Sequence, residues 1–234
     1  MSNVQAAMNE YWTGRSGPYD DYQERPDRRD ADRAAWREVW TEALGTEALD
    51  VLDVGTGSGY VARILADLGH RVTGIDLATG MIERAREHAA KMDNPPRFEL
   101  GDAVAPEYPA ASFDAVVNRY VMWTLREPHV ALANWAALLR PGGTLAVVDS
   151  TWFAKGLYVD ASEQFRTSYG DEVREALPLA EATSIEDTLR VVEQAGFVDV
   201  TATPLTSILE LDQRYGVAPN HEVLTQYLVR GTRA

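Results

Sequence analysis

Val51-Leu52-Asp53-Val54 runs directly into Gly55-Thr56-Gly57-Ser58-Gly59, and a helical pattern opens at Tyr60. A short apolar run ending in spaced glycines reads as a buried strand that turns sharply into a helix. Glycines at such a turn permit unusual backbone angles and let a bound molecule lie against the main chain. This strand–loop–helix unit, Val51–Gly59 with the helix beyond, limits the folds open to the chain.

The pattern repeats downstream. Tyr60–Leu68 reads as a helix stopped by Gly69, Val72–Ile75 as a second strand, and Met81–Lys91 as a helix closed by Asn94-Pro95-Pro96. Arg97–Leu100 is a third strand, Ala115–Val117 opens a fourth, Val130–Leu139 is a helix, and Thr144–Asp149 is a fifth strand. Strands alternating with helices of about ten residues indicate crossover units and a parallel sheet. Their nearly continuous apolar character suits strands covered on both faces. Ile185–Ala195 reads as another helix, and Phe197–Thr203 and Thr225–Gly231 as two final strands.

Two stretches break the rhythm. Residues 1–45 are polar, charged and aromatic, with a helix over Asp30–Ala43; the charge run Arg25–Arg33 reads as a solvated helix start. Residues 150–184 are again aromatic and polar. The expected organisation is an N-terminal helical cap over 1–45 and a main domain over 46–234, with the insertion 150–184 as a lid.

Composition excludes several function classes. The 234 residues contain no cysteine, which removes thiol catalysis, disulfides and cysteine-ligated zinc. The formal net charge of −14 opposes binding to a nucleic-acid backbone. No run of about 18 apolar residues exists to span a membrane. The opening residues lack a basic and then apolar leader pattern, so a cytoplasmic location is expected. No metal site is assigned.

Further motifs sharpen the glycine loop. Asp76 ends the second strand about 20 residues after the first glycine, where an acid accepts hydrogen bonds from ribose hydroxyls. Taken alone, Asp76 suits either of two adenosine cofactors. The dinucleotide fingerprint G-x-G-x-x-G wants a glycine where Tyr60 stands and does not expect Asp53. Phe98–Ala103 places Asp102 after the third strand, Phe113–Val117 leads into the fourth, and Leu138-Leu139-Arg140-Pro141-Gly142-Gly143 turns into the fifth. In this order and spacing the set resembles the class I S-adenosylmethionine (SAM)-dependent methyltransferases, particularly their small-molecule branch. The resemblance covers Ala48–Ser150 and, weakly, Ile185–Phe197.

The resemblance implies an α/β, Rossmann-like, seven-stranded and mostly parallel sheet. Its last strand is antiparallel, with helices on both faces. It implies SAM as methyl donor, with Gly55, Gly57 and Gly59 along its methionine and ribose. Asp53 would orient the loop or hold the amino group, and Asp76 would bind the ribose. Leu77 and Met81 would pack on the adenine, Asp102 and Ala103 would read its edge, and Asn118 and Arg119 would stand beside the methionyl end. Asn94–Pro96 sits before the third strand and reads as a turn, not as the Asn-Pro-Pro-aromatic signature of nitrogen-methylating enzymes.

The acceptor side is less constrained. An activated methyl needs alignment and a dry pocket, plus a base only where the acceptor loses a proton. His221, Tyr19 and Arg119 are the catalytic candidates; His129 and Asp149 are weighed as further bases, and His70 and His88 read as structural or solvated. Tyr11, Trp12, Tyr19, Trp123, Trp152 and Tyr169 are expected to wall the pocket, while Trp36 and Trp40 pack the cap onto the sheet. This points to a small-molecule acceptor, aromatic or apolar, in specialised metabolism. Alternatives left open are C-methylation of a short isoprenoid diphosphate, with Arg25, Arg28, Arg29 or Arg119 on phosphate, and a non-catalytic SAM-binding partner subunit. The acceptor, the methylated atom and pairing as a homodimer are left open.

Overall fold

The computed structural model describes residues 3–159, 161–218 and 221–234. Seven strands form one sheet in the order β3-β2-β1-β4-β5-β7-β6. They are β1 (Asp50–Val54), β2 (Arg71–Asp76), β3 (Arg97–Leu100), β4 (Phe113–Arg119), β5 (Leu139–Asp149), β6 (Phe197–Pro204) and β7 (Tyr227–Arg233). Strands β1 to β5 pair in parallel, and β7 runs antiparallel between β5 and β6. The helices are α1 (Asn3–Gln23), α2 (Arg29–Leu44), α3 (Tyr60–Asp67), α4 (Thr79–Ala89), α5 (Pro128–Leu138), α6 (Glu163–Ser168), α7 (Asp171–Glu175), α8 (Ile185–Gln194) and α9 (Thr206–Tyr215). No helix among the described residues is long and apolar enough to cross a membrane.

Alternation along the central strands divides the core between two helix layers. Val51, Ala115, Val117, Ala146 and Val148 face α2, α3 and α4 in one cluster. Leu52, Val54, Val116, Leu145 and Val147 face α5 and α8 in the other. Both faces are buried, which is why these strands are apolar at nearly every position. Trp36 and Trp40 stack at 6.4 Å and seat α2 on the first cluster. A third cluster joins Val4, Met8 and Tyr11 of α1 to Phe165, Tyr169 and Leu177 of the 150–184 segment.

Two sequence expectations are corrected, and two helices form that were not singled out. Residues 3–23 form a 21-residue helix despite Pro18. Strand β5 begins at Leu139, five residues earlier than read, because the Pro141-Gly142-Gly143 turn still lies along β4. The connection after β6 holds α9. The charge run at 25–33 is not simply solvated: Arg28 is buried, with ion pairs to Asp32 at 2.8 Å and Asp212 at 2.6 Å.

The strand order reverses between β1 and β4. A crevice opens there, outside the carboxyl ends of the strands. The loop after β1, the end of β2 and the turn after β4 all reach it. Helix α1 and the 150–184 segment also contribute to its wall.

Candidate active site

The crevice is a cavity of about 660 Å³, a size suited to a small-molecule ligand. One end is built by the glycine loop. Gly55 has φ +68°, and a Cβ there would lie 2.5 Å from Val121 Cγ2, so only glycine fits. A Cβ on Gly57 would meet nothing nearer than Met81 Sδ at 4.0 Å, which leaves that side open to a ligand. Asp53 stands one residue before the end of β1, beneath the loop, and its Oδ2 accepts a hydrogen bond from Thr56 Oγ1 at 2.6 Å. Burial pushes the Asp53 carboxyl up to about 7, against the lowering effects of Thr56 and the Arg119 charge.

Asp76 is held at the end of β2. Its Oδ2 accepts from Gly57 N at 3.0 Å and its Oδ1 from Ala78 N at 2.8 Å. Burial raises its pKa, opposed by the backbone donors of Ala78, Gly57 and Leu77. Each oxygen keeps acceptor capacity, and two such oxygens match a vicinal diol. Leu77, Met81, Asp102 and Ala103 continue the wall. Trp135 Nε1 donates to Ala103 O at 2.7 Å and Asn134 Nδ2 to Val104 O at 2.7 Å, so α5 fixes this loop from behind. Asp102 Oδ1 accepts from Val104 N at 2.8 Å.

Two expected residues do not reach the wall. Gly59 packs inward: a Cβ there would lie 2.6 Å from Phe98, so its role is close packing of α3 on β3. Asn118 is fully buried; its Nδ2 faces Met122 Sδ at 3.9 Å, and its Oδ1 has no partner among the described residues. Adjacent strand residues point to opposite faces, and Arg119 takes the cavity side.

Arg119 is buried between the rings of Trp36, Tyr60 and Tyr120, with its guanidinium carbon 4.9, 4.6 and 4.6 Å from their centroids. Its Nη2 donates to Gln23 Oε1 at 2.5 Å. A ring of buried polar groups continues from there. Gln23 Nε2 donates to Asp32 Oδ2 at 3.2 Å, and Asp32 and Asp212 share Arg28. Gln226 Nε2 donates to Asp212 Oδ2 at 3.0 Å, and Tyr120 OH donates to Gln226 Oε1 at 2.6 Å. Tyr60 OH donates to Asp32 Oδ2 at 3.0 Å, a use for the residue that replaces the glycine of the dinucleotide fingerprint. Sequence reasoning missed Gln23, Asp32, Asp212 and Gln226 as parts of this site, because the links that join them, Arg119 to Gln23, Arg28 to Asp212 and Tyr120 to Gln226, span long stretches of the chain.

The other end of the cavity is aromatic. Tyr11, Trp12, Tyr19, Trp123 and Trp152 line it, as does His221. Tyr169 is instead fully buried behind the wall, stacked on Phe165 at 4.4 Å, with its OH accepting from Trp12 Nε1 at 2.8 Å. Asp149 lies outside the cavity lining; it accepts from Trp152 Nε1 at 3.0 Å and Thr188 Oγ1 at 2.7 Å, and so props the Trp152 wall. His129 is exposed, and His70 is buried under the β2 turn with Nδ1 near Leu49 N. His88 is tied by Nε2 to Asp20 at 2.8 Å. Asp20, Glu24 and His88 have ligand-type atoms within 4.8 Å of one another. Glu24 is also paired with Arg63 at 2.5 Å, so this group reads as a latch from α1 to α3 and α4.

The four arginines considered for phosphate do not form a phosphate site. Arg28 and Arg119 are engaged as described, Arg25 donates to the carbonyls of Tyr215 and Gly216, and Arg29 pairs with Asp30 at the surface.

The fold is shared with SAM-dependent methyltransferases of known structure, and the glycine-loop site lies within a stretch that matches a methyltransferase domain. Residues 52–147 match the family model described as a methyltransferase domain. The chain is 32% identical over 144 residues to a demethylmenaquinone methyltransferase of Renibacterium salmoninarum, covering 61% of this chain and 56% of that protein. It is 36% identical over 120 residues to a ubiquinone biosynthesis O-methyltransferase of Maricaulis maris, covering 50% and 47%. The chain thus spans about half the length of these curated relatives. A SAM-dependent methyltransferase structure from Aquifex aeolicus superposes with a TM-score of 0.64 at 19% identity, covering 95% of this chain and 98% of that one.

Proposed function

We propose that the chain transfers a methyl group from SAM to a small, flat organic acceptor held in the aromatic end of the cavity. The observation that carries this reading is the joining of two unlike ends in one cavity. A glycine loop with Asp76 lies at one end and a cage of aromatic rings at the other.

The residues present fit the cofactor. Asp76 offers two fixed acceptors for ribose hydroxyls, and Gly55 and Gly57 leave the main chain open to close approach. Leu77 and Met81 supply an apolar surface for the adenine, and Asp102 an acceptor for its amino edge. Arg119 supplies positive charge for the methionyl carboxylate. SAM, when bound, supplies an activated methyl on a sulfonium. The chain then aligns the acceptor and excludes water, and the rings of Trp12, Trp123 and Trp152 favour a planar molecule and developing positive charge. Tyr19 OH and a ring nitrogen of His221 are the groups for a proton leaving the acceptor. Desolvation and the Arg15 charge lower the His221 pKa, so its imidazole is neutral at pH 7 and able to accept. The relatives named for demethylmenaquinone and for ubiquinone biosynthesis support a quinone-type or phenolic ring as acceptor. On this reading α1, α2 and the 150–184 segment act as the substrate cover.

Calorimetric titration with SAM and S-adenosylhomocysteine tests the donor half. Saturable binding of both at one site per chain is expected. Absence of binding to either would remove the proposal.

A further inference from the structure

Three arginines line the cavity among the described residues, and their surroundings differ. Arg28 is neutralised by Asp32 and Asp212. Arg119 is enclosed by three rings and bonded to Gln23. Arg15 has neither arrangement. Its Nε is buried without a hydrogen-bond partner, and no carboxylate pairs with it among the described residues. Its charge is felt by two cavity groups: burial raises the Tyr11 pKa against the opposing Arg15 charge, while desolvation and then the Arg15 charge lower that of His221.

A guanidinium N–H removed from water and left unbonded is costly, and a chain of net charge −14 has carboxylates to spare for pairing. Arg15 stands eight residues before Gln23 on α1, about 12 Å along the helix axis at 1.5 Å per residue. It sits one helical turn from Tyr11, and with Tyr11, Trp12 and His221 it lines the cavity. A guanidinium matches a carboxylate through two parallel N–H donors.

We propose that Arg15 is the specificity determinant of the acceptor end and that it recognises a carboxylate on a planar aromatic acceptor. Resting on the methyltransferase reading, this names the substrate class: an aryl acid, with the ring held between the aromatic walls and its carboxylate on the Arg15 fork. The neutral His221 imidazole beside it leaves the cation to the ligand.

The test uses the full chain saturated with S-adenosylhomocysteine, titrated calorimetrically with 2-naphthoate and with the uncharged 2-naphthamide. The expected result is at least tenfold tighter binding of the naphthoate. Arg15→Met removes that preference while leaving S-adenosylhomocysteine affinity unchanged, Arg15→Lys keeps part of it, and surface Arg29→Met keeps all of it. Equal binding of the two probes, or a preference that survives in R15M, overturns the assignment of Arg15. Failure of S-adenosylhomocysteine itself to bind is a separate outcome that removes the methyltransferase reading and this inference with it.

Discussion

Gln23 on α1 accepts a 2.5 Å hydrogen bond from Arg119 at the end of β4, across 96 positions of sequence. This bond ties the first helix to the sheet at the point where the strand order reverses. Hydrogen bonds to charged groups contribute about 1.5–3 kcal/mol. Gln23→Ala is therefore expected to lower the unfolding free energy by about that amount. Urea denaturation followed by circular dichroism measures it; an unchanged midpoint would show that the tie is not felt.

Asp76 is fixed by two backbone donors, and on the proposed reading its removal costs the ribose hydroxyls their partner. Asp76→Ala is expected to weaken S-adenosylhomocysteine binding by about 1–3 kcal/mol. Calorimetry reads this directly, and unchanged affinity would place the nucleoside elsewhere.

The Arg28 pairs with Asp32 and Asp212 are buried. Breaking a buried pair from one side leaves an uncompensated charge and destabilises by about 3–5 kcal/mol. Arg28→Met should show a loss of that order in a denaturant melt. The exposed pair partner Arg29→Met should change stability by less than about 1 kcal/mol.

Asp53 takes its proton near pH 7 in the free protein, chiefly because it is buried. The sign of the effect follows from which state holds the proton more tightly. Its folded pKa lies above the unfolded value, so the folded state binds more protons, and stability declines as pH rises from about 4 to about 7. A cationic ligand beside Asp53 favours the carboxylate instead. SAM affinity is thus expected to rise between pH 6 and 8, with proton release detectable by calorimetry in buffers of different ionisation enthalpy. Asp53→Asn should flatten the profile; a wild-type profile that falls with pH would contradict the assignment.

Much of the sheet was legible because β1, β4 and β5 are buried on both faces and carry apolar runs that only such a position requires. Gly55, Gly57 and Asp76 were singled out through local spacing, and Leu77, Met81, Asp102 and Ala103 through the family resemblance; all of them line the cavity. Helix α1 was not, since Gly14, Gly17 and Pro18 interrupt a face whose apolar members, Val4, Met8 and Tyr11, meet a satellite cluster and not the main core. Helix α9 was hidden because its two buried residues are Ile208 and the carboxylate-bearing Asp212. The polar ring around Arg119 was illegible for a simpler reason: Arg28 and Asp212 meet only after the whole sheet has formed. Asn118 was misplaced by one step of strand alternation, which carries Arg119 to the cavity and turns its neighbour away.

Pro18 has a consequence for turnover. It cannot donate to the Gly14 carbonyl, so α1 lacks one rung between the turn that carries Arg15 and the turn that carries Gln23. Bending there disrupts less than bending elsewhere in the helix. The amino-terminal half can tilt outward while Gln23 stays bonded to Arg119. On the proposed reading, entry and exit of an acceptor would then be mechanically decoupled from the end that grips the donor.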